Sequence, residues 1–132
     1  MPIRQNRDAL IKWGSAILAA LVYGAWAAYA NAEYGSFVAV RSGLGQGIYA
    51  FVSTWLVAMV AFKSVGFSNN RILQIFIAFT LTFLVMLTIP LVIHTILQTP
   101  NVWQAILPGL VWGSGYILVL LWLKTRQPVD RI

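Results

Sequence analysis

Four long apolar runs, at about residues 10–31, 37–62, 72–97 and 102–123, alternate with short polar segments along the chain. Each run holds the roughly 20 apolar residues that a helix needs to cross a hydrocarbon core about 30 Å thick. The connections KSVGFSNNR (63–71) and QTPN (98–101) carry the Gly, Asn and Pro residues that stop helices. Connections this short make consecutive helices antiparallel. The pattern therefore predicts an all-α integral membrane fold, with four transmembrane helices in an up-down-up-down bundle forming one domain over residues 1–132.

Inside the runs, small residues recur four positions apart. Helix 1 carries Ala16, Ala20, Gly24 and Ala28, helix 2 carries Gly43 and Gly47, and helix 4 carries Gly109 and Gly113. In lipid, helices associate by close packing and interhelical hydrogen bonds, so these stripes are candidate packing faces for helices 1, 2 and 4. Helix 3, with its bulky IFIAFTLTFLVMLTI segment, is expected to fill the remaining side or to face lipid. A second row on helix 2, formed by Ser42, Gln46, Ala50 and Thr54, is polar enough that it should face inward, where partners are available. Pro90 should bend helix 3, whereas Pro108 falls near the first turns of helix 4, where a missing donor matters less.

Composition reinforces this pattern. Of 132 residues, 60% are hydrophobic and only 9% are charged, against about a quarter charged in a globular chain. A net charge of +6 would suggest a nucleic-acid partner for a soluble protein, but here the basic residues sit in clusters between the spans. Arg4, Arg7, Lys12, Lys63, Arg71, Lys124, Arg126 and Arg131 fall on one side and Arg41 alone on the other. This bias predicts cytoplasmic termini, and together with the absence of cysteine it fits a bacterial inner membrane. Trp13 and Trp122 then lie near the inner interface, and Tyr29, Tyr34 and Trp103 near the outer one. The basic start and AYANA (28–32) have the form of a signal peptide. However, the first apolar run exceeds the usual length of about 7–15 residues, and it contains Tyr23 and Trp26, so a retained span is expected.

Candidate chemistry gathers at the outer ends of the helices. In NAEYGSFVAVRSGLGQG (31–47), Arg41 lies one turn inside helix 2, about 6 Å from its start at 1.5 Å per residue. Glu33, Arg41, His94 and Gln104, with Gln46 deeper on helix 2, are the candidate ligand-binding residues. Three roles are open for Arg41: pairing with Glu33 across the hairpin, snorkelling to headgroups, or holding a substrate anion in its planar donor fork. His94 is a hydrogen-bonded packing residue, a pH switch or a proton relay.

Absent chemistry narrows the function. No span contains a carboxylate, there is no cysteine and only one histidine, and no G-x-x-x-x-G-K phosphate loop occurs. The expectation is a non-enzymatic protein without metal or cofactor, which binds or helps translocate an amphipathic or lipid-linked anionic substrate at the outer leaflet. The alternative is a non-catalytic accessory or scaffolding subunit of a larger inner-membrane complex. Expected partners are membrane lipids and either further copies of the chain or a larger membrane protein, not nucleic acid.

Overall fold

The computed structural model describes residues 2–126, without the side chains of residues 2–4 and 8. Four helices, α1 (Pro2–Ala30), α2 (Ser36–Ser64), α3 (Arg71–Ile96) and α4 (Val102–Arg126), are joined by short connections, two of which contain 3-10 turns at Ala32–Tyr34 and Val65–Phe67. All four are long and apolar enough to cross a membrane, as an integral membrane protein requires. The side chains of Arg4 and Asp8, and all of Asp130 and Arg131, lie outside the described residues.

Local chemistry sets the helix ends. Gly35, at φ 102°, turns the chain between α1 and α2 in a conformation that a Cβ would disfavour. The Asn70 side chain caps α3 by accepting from the backbone N–H groups of Ile72 and Leu73 at 3.0 and 3.2 Å. At its other end, α3 closes in a Schellman arrangement: Thr99 N–H donates to His94 O at 2.9 Å and Gln98 N–H to Thr95 O at 3.1 Å. Gln98 takes the left-handed position with φ 53°, where glycine is usual.

Consecutive helices run antiparallel. At one end Asn101, before α4, bonds through its N–H to Asn31 Oδ1 and through Nδ2 to Ala30 O, both at 2.8 Å. At the other end, Arg71 at the start of α3 reaches Thr125 Oγ1 and Trp122 O on α4. The latter is called the basic end below, because Lys12, Lys63, Arg71, Lys124 and Arg126 lie towards it. α2 and α4 each touch all three other helices, so they occupy the short diagonal of the bundle.

The closest approach is between α1 and α2. A Cβ on Gly24 would stand 2.9 Å from Gly43 O, and one on Gly47 would stand 3.1 Å from Ala20 O. Gly43 faces Gly24 and Ala28 in return, and Ala16 is fully buried further along α1. The apolar core lies instead towards the basic end and is built by Val57 and Ala61 of α2, Ala78 and Met86 of α3, and Ile117 and Leu121 of α4. Outside, Leu21, Leu44, Ile48, Val111 and Val119 are all more than half exposed, a surface suited to hydrocarbon rather than water.

Two features depart from the sequence expectations. α3 turns bulky residues such as Phe76 and Leu84 outward as expected, but it also packs through a buried column of Ala78, Thr82, Met86, Pro90 and His94, because residues four apart share one helix face. The α4 glycines do not seat another backbone, since Gly109 faces the Gln46 amide and Gly113 faces the Met86 side chain.

Both internal prolines are answered by aromatic donors from a neighbouring helix. Pro90 leaves the carbonyl of Met86, four residues before it, without its helical donor, and the Tyr49 hydroxyl of α2 lies 3.4 Å from that oxygen. Pro108 does the same to Gln104 O, which accepts from Trp26 Nε1 of α1 at 2.7 Å. Thus the donor missing at Pro108 does matter, although it lies early in α4.

Candidate functional site

His94 sits at the buried end of the α3 column with none of its surface exposed. Its ring is held from both sides: Nε2 lies 2.8 Å from Gln46 Oε1 and Nδ1 lies 2.8 Å from Thr99 Oγ1. Thr99 in turn accepts from the Ser42 hydroxyl at 3.2 Å. Ser42, Gln46, His94 and Thr99 are each at most 5% exposed, so the chain of bonds is sealed from solvent. Such burial is tolerable because each ring nitrogen has a partner; an unpaired buried polar group would cost about 1–3 kcal/mol.

The residues arrive from three segments. Ser42 and Gln46 are four apart on one face of α2, His94 projects from α3, and Thr99 is placed by the Schellman turn. Thr99 therefore fixes His94 twice, through the backbone bond to its carbonyl and through the hydroxyl on its ring.

With its carboxamide oxygen turned towards the ring, Gln46 accepts, and the His94–Gln46 contact then places a proton on Nε2. In the neutral ring Nδ1 is then an acceptor, and Thr99 donates to it while accepting from Ser42. The donors run in one direction, from Ser42 through Thr99 to His94 and then from His94 to Gln46. This leaves the Gln46 –NH₂ group as the terminus of the chain. Among the described residues, Gln46 Nε2 has no hydrogen-bond partner, and Gln46 lines the interior cavity.

That cavity has a volume of about 280 Å³ and is lined by all four helices. Its polar lining comes from Ser15 and Tyr23 of α1, Gln46, Tyr49, Ser53 and Thr54 of α2, and Tyr116 of α4. Ser53 and Thr54 both donate to Ala50 O of their own helix, and Tyr49 is directed to Met86 O. Val57, Met86, Pro90 and Leu110 supply apolar walls, and among the described residues none that lines the cavity carries a formal charge.

The sequence candidates separate. Gln46 and His94 meet directly. Glu33, in the α1–α2 connection, accepts from Asn101 Nδ2 at 3.3 Å. Gln104 has an exposed side chain and contributes its backbone carbonyl to Trp26. Arg41 stacks its guanidinium 5.3 Å from the centroid of Phe37, and among the described residues its buried Nε has no partner. At 100° per residue, Arg41 points about 140° away from Gln46, so it does not face the same interior. Thr99, Ser42 and Tyr49 were not among the sequence candidates. Ser42 and Gln46 share the polar row on α2, whereas Thr99 enters only through the turn that follows α3.

The Gly24, Gly43 and Gly47 stripe, with Ala20 and Ala28, forms the floor of a second, wholly apolar groove on the outside of the α1–α2 pair. Among the described residues no cluster of three or more His, Cys, Asp or Glu side chains is placed to hold a metal ion. Neither a family model, nor a curated protein, nor a solved structure matches the chain.

Proposed function

We propose that the protein binds an amphipathic, membrane-soluble molecule in the interior cavity, with the ligand's polar group at Gln46 and its apolar part along Val57 and Leu110. The observation that carries this reading is the unpartnered Gln46 amide nitrogen, on a residue 2% exposed, at the wall of a cavity of about 280 Å³. Binding sites of this kind are mainly apolar with a few placed polar groups. Membrane ligands would reach it laterally, between α1 and α4.

The charge distribution along the chain supports a bacterial inner-membrane location with cytoplasmic termini, and on that topology the His94–Thr99 end faces the outer leaflet. Arg41 supports attraction of anionic headgroups to that leaflet, as a separate feature on another face of α2. The ligand in the cavity itself meets no countercharge.

A second reading, an accessory subunit of a larger membrane complex, is favoured by the groove of about 590 Å³ over the α1–α2 glycines, whose rims are Leu21, Val40, Leu44 and Phe51. A partner's transmembrane helix would lie against its small-residue floor.

Native mass spectra of gently solubilised wild type and Gly109→Leu test the first reading. A Cβ at Gly109 meets only the Gln46 amide nitrogen, at 3.8 Å, so the longer side chain enters the cavity without displacing backbone. A small-molecule adduct on wild type that disappears in Gly109→Leu is expected. An adduct retained equally by both would place the ligand elsewhere. A stoichiometric second polypeptide, lost when Ala25→Trp fills the outer groove, would favour the accessory role.

A further inference from the structure

We infer that the cavity selects ligands whose buried polar group is an uncharged hydrogen-bond acceptor: a ketone, ester or quinone-type carbonyl on a hydrocarbon body. The inference rests on the cavity being a ligand site and adds the chemistry that the site would recognise.

The selection originates outside the cavity. Gln46 could present either end of its amide to a ligand, since the carboxamide is both donor and acceptor. His94 removes that choice by engaging Oε1 at 2.8 Å, and Thr99 and Ser42 support the ring from behind. The group left for the ligand is –NH₂, which only donates. An ammonium, which only donates, would bring N–H against N–H at this point. A carboxylate or phosphate would accept the bond, but among the described residues no cationic side chain lines the cavity to offset burial of its charge. A neutral carbonyl oxygen meets both conditions.

The remaining wall favours the same class. The Ser53 and Thr54 hydroxyl protons are committed to Ala50 O, so Gln46 is the most deeply buried free donor along the cavity. Tyr23, Tyr116 and Trp112 provide aromatic surface nearer its opening, which suits a flat conjugated carbonyl or the start of an alkyl chain. His94 acts here as a positioning residue: it touches Gln46, not the ligand.

Three probes of equal chain length separate the alternatives: 2-dodecanone, dodecane and dodecylammonium, each titrated into the full-length protein in detergent micelles. The readout is the side-chain amide NMR signal of Gln46, identified by its loss in Gln46→Leu, together with thermal shifts. For wild type, 2-dodecanone should move that signal and bind about tenfold more tightly than to Gln46→Leu, the upper range for one neutral hydrogen bond. Dodecane should bind both forms alike. In His94→Leu the amide is free to turn, so the ketone-over-alkane preference should shrink even where the cavity still takes dodecane. Ketone and alkane binding equally to wild type and Gln46→Leu would overturn the inference and leave the cavity reading standing. A stronger response to dodecylammonium than to the ketone would also overturn it. Failure of every probe to move the Gln46 signal would remove both.

Discussion

His94 of α3 and Gln46 of α2 are joined through Nε2 and Oε1 at 2.8 Å, with 0% and 2% of their surfaces exposed. The bond ties two helices at one end of the bundle and orients an amide towards the cavity at the same time. On the proposed function, stability and recognition meet in one pair of residues, and their substitutions should be distinguishable.

Replacing His94 by Ala removes a side chain that satisfies both Thr99 and Gln46, and leaves a cavity behind. A loss of about 2–4 kcal/mol is expected, from unpaired buried groups together with lost packing. Thr99→Val, close in shape, removes only the hydroxyl and should cost about 1–2 kcal/mol. Denaturant titration in micelles, followed by tryptophan fluorescence, reads both. Equal, near-zero effects would mean that the buried chain of bonds does not hold this end of the bundle.

The proline-linked carbonyls give a sharper test, because a double-mutant cycle isolates each pair. Trp26→Phe strands the Gln104 carbonyl, which otherwise accepts at 2.7 Å, and should cost about 1 kcal/mol for the bond. In a Pro108→Ala background α4 supplies its own N–H, so Trp26→Phe should cost measurably less. Tyr49→Phe against Pro90→Ala should behave in the same direction but more weakly, as its contact is 3.4 Å. Additive effects in both cycles would show that these aromatics do not answer the prolines.

Glycine substitutions should divide by neighbour. Gly24→Ala places a Cβ 2.9 Å from Gly43 O on a rigid backbone, forcing α1 and α2 apart at a cost of about 1–3 kcal/mol. Gly14→Ala meets nothing within 4 Å and should be neutral or slightly stabilising, as alanine favours helix. Thermal melting of the two variants in one detergent separates them.

Gln98 holds a left-handed conformation, φ 53°, at the turn that delivers Thr99. Gln98→Gly removes the Cβ penalty and should raise stability by about 0.5–1 kcal/mol, after allowing for glycine's greater freedom when unfolded. A fall in the melting temperature would imply that the glutamine side chain supports the turn in some other way.

How far these features were legible depended on the type of signal. The apolar runs located the connections to within a residue or two, because Gly35, Asn70 and Asn101 interrupt the hydrophobic pattern there. They understated α1 and α4 towards the basic end: α1 starts at Pro2 rather than near residue 10, and α4 continues to Arg126. Hydropathy marks where a helix leaves hydrocarbon, while Arg, Lys and Gln continue the helix beyond it. Ser42 and Gln46 could be read as an inward row from their spacing. The matching column on α3 was masked by the bulky residues between its members, although Thr82, Pro90 and His94 share its four-residue spacing. Thr99 could not be found by helical spacing at all, since the Schellman turn brings it back onto His94. Glu33, Arg41 and Gln104 share a similar height with the site, yet height does not fix direction around a helix, and each has other neighbours.

The most direct measurement of the cavity's role is photolabelling of wild type in membranes with a long-chain alkyl ketone bearing a diazirine, followed by peptide mapping. Labels concentrated on Tyr49, Met86 and Tyr116, and suppressed in Gly109→Leu, are the expected result. Labels confined to outward residues such as Leu44, Ile48 and Val119, unchanged by that substitution, would contradict ligand binding in the cavity.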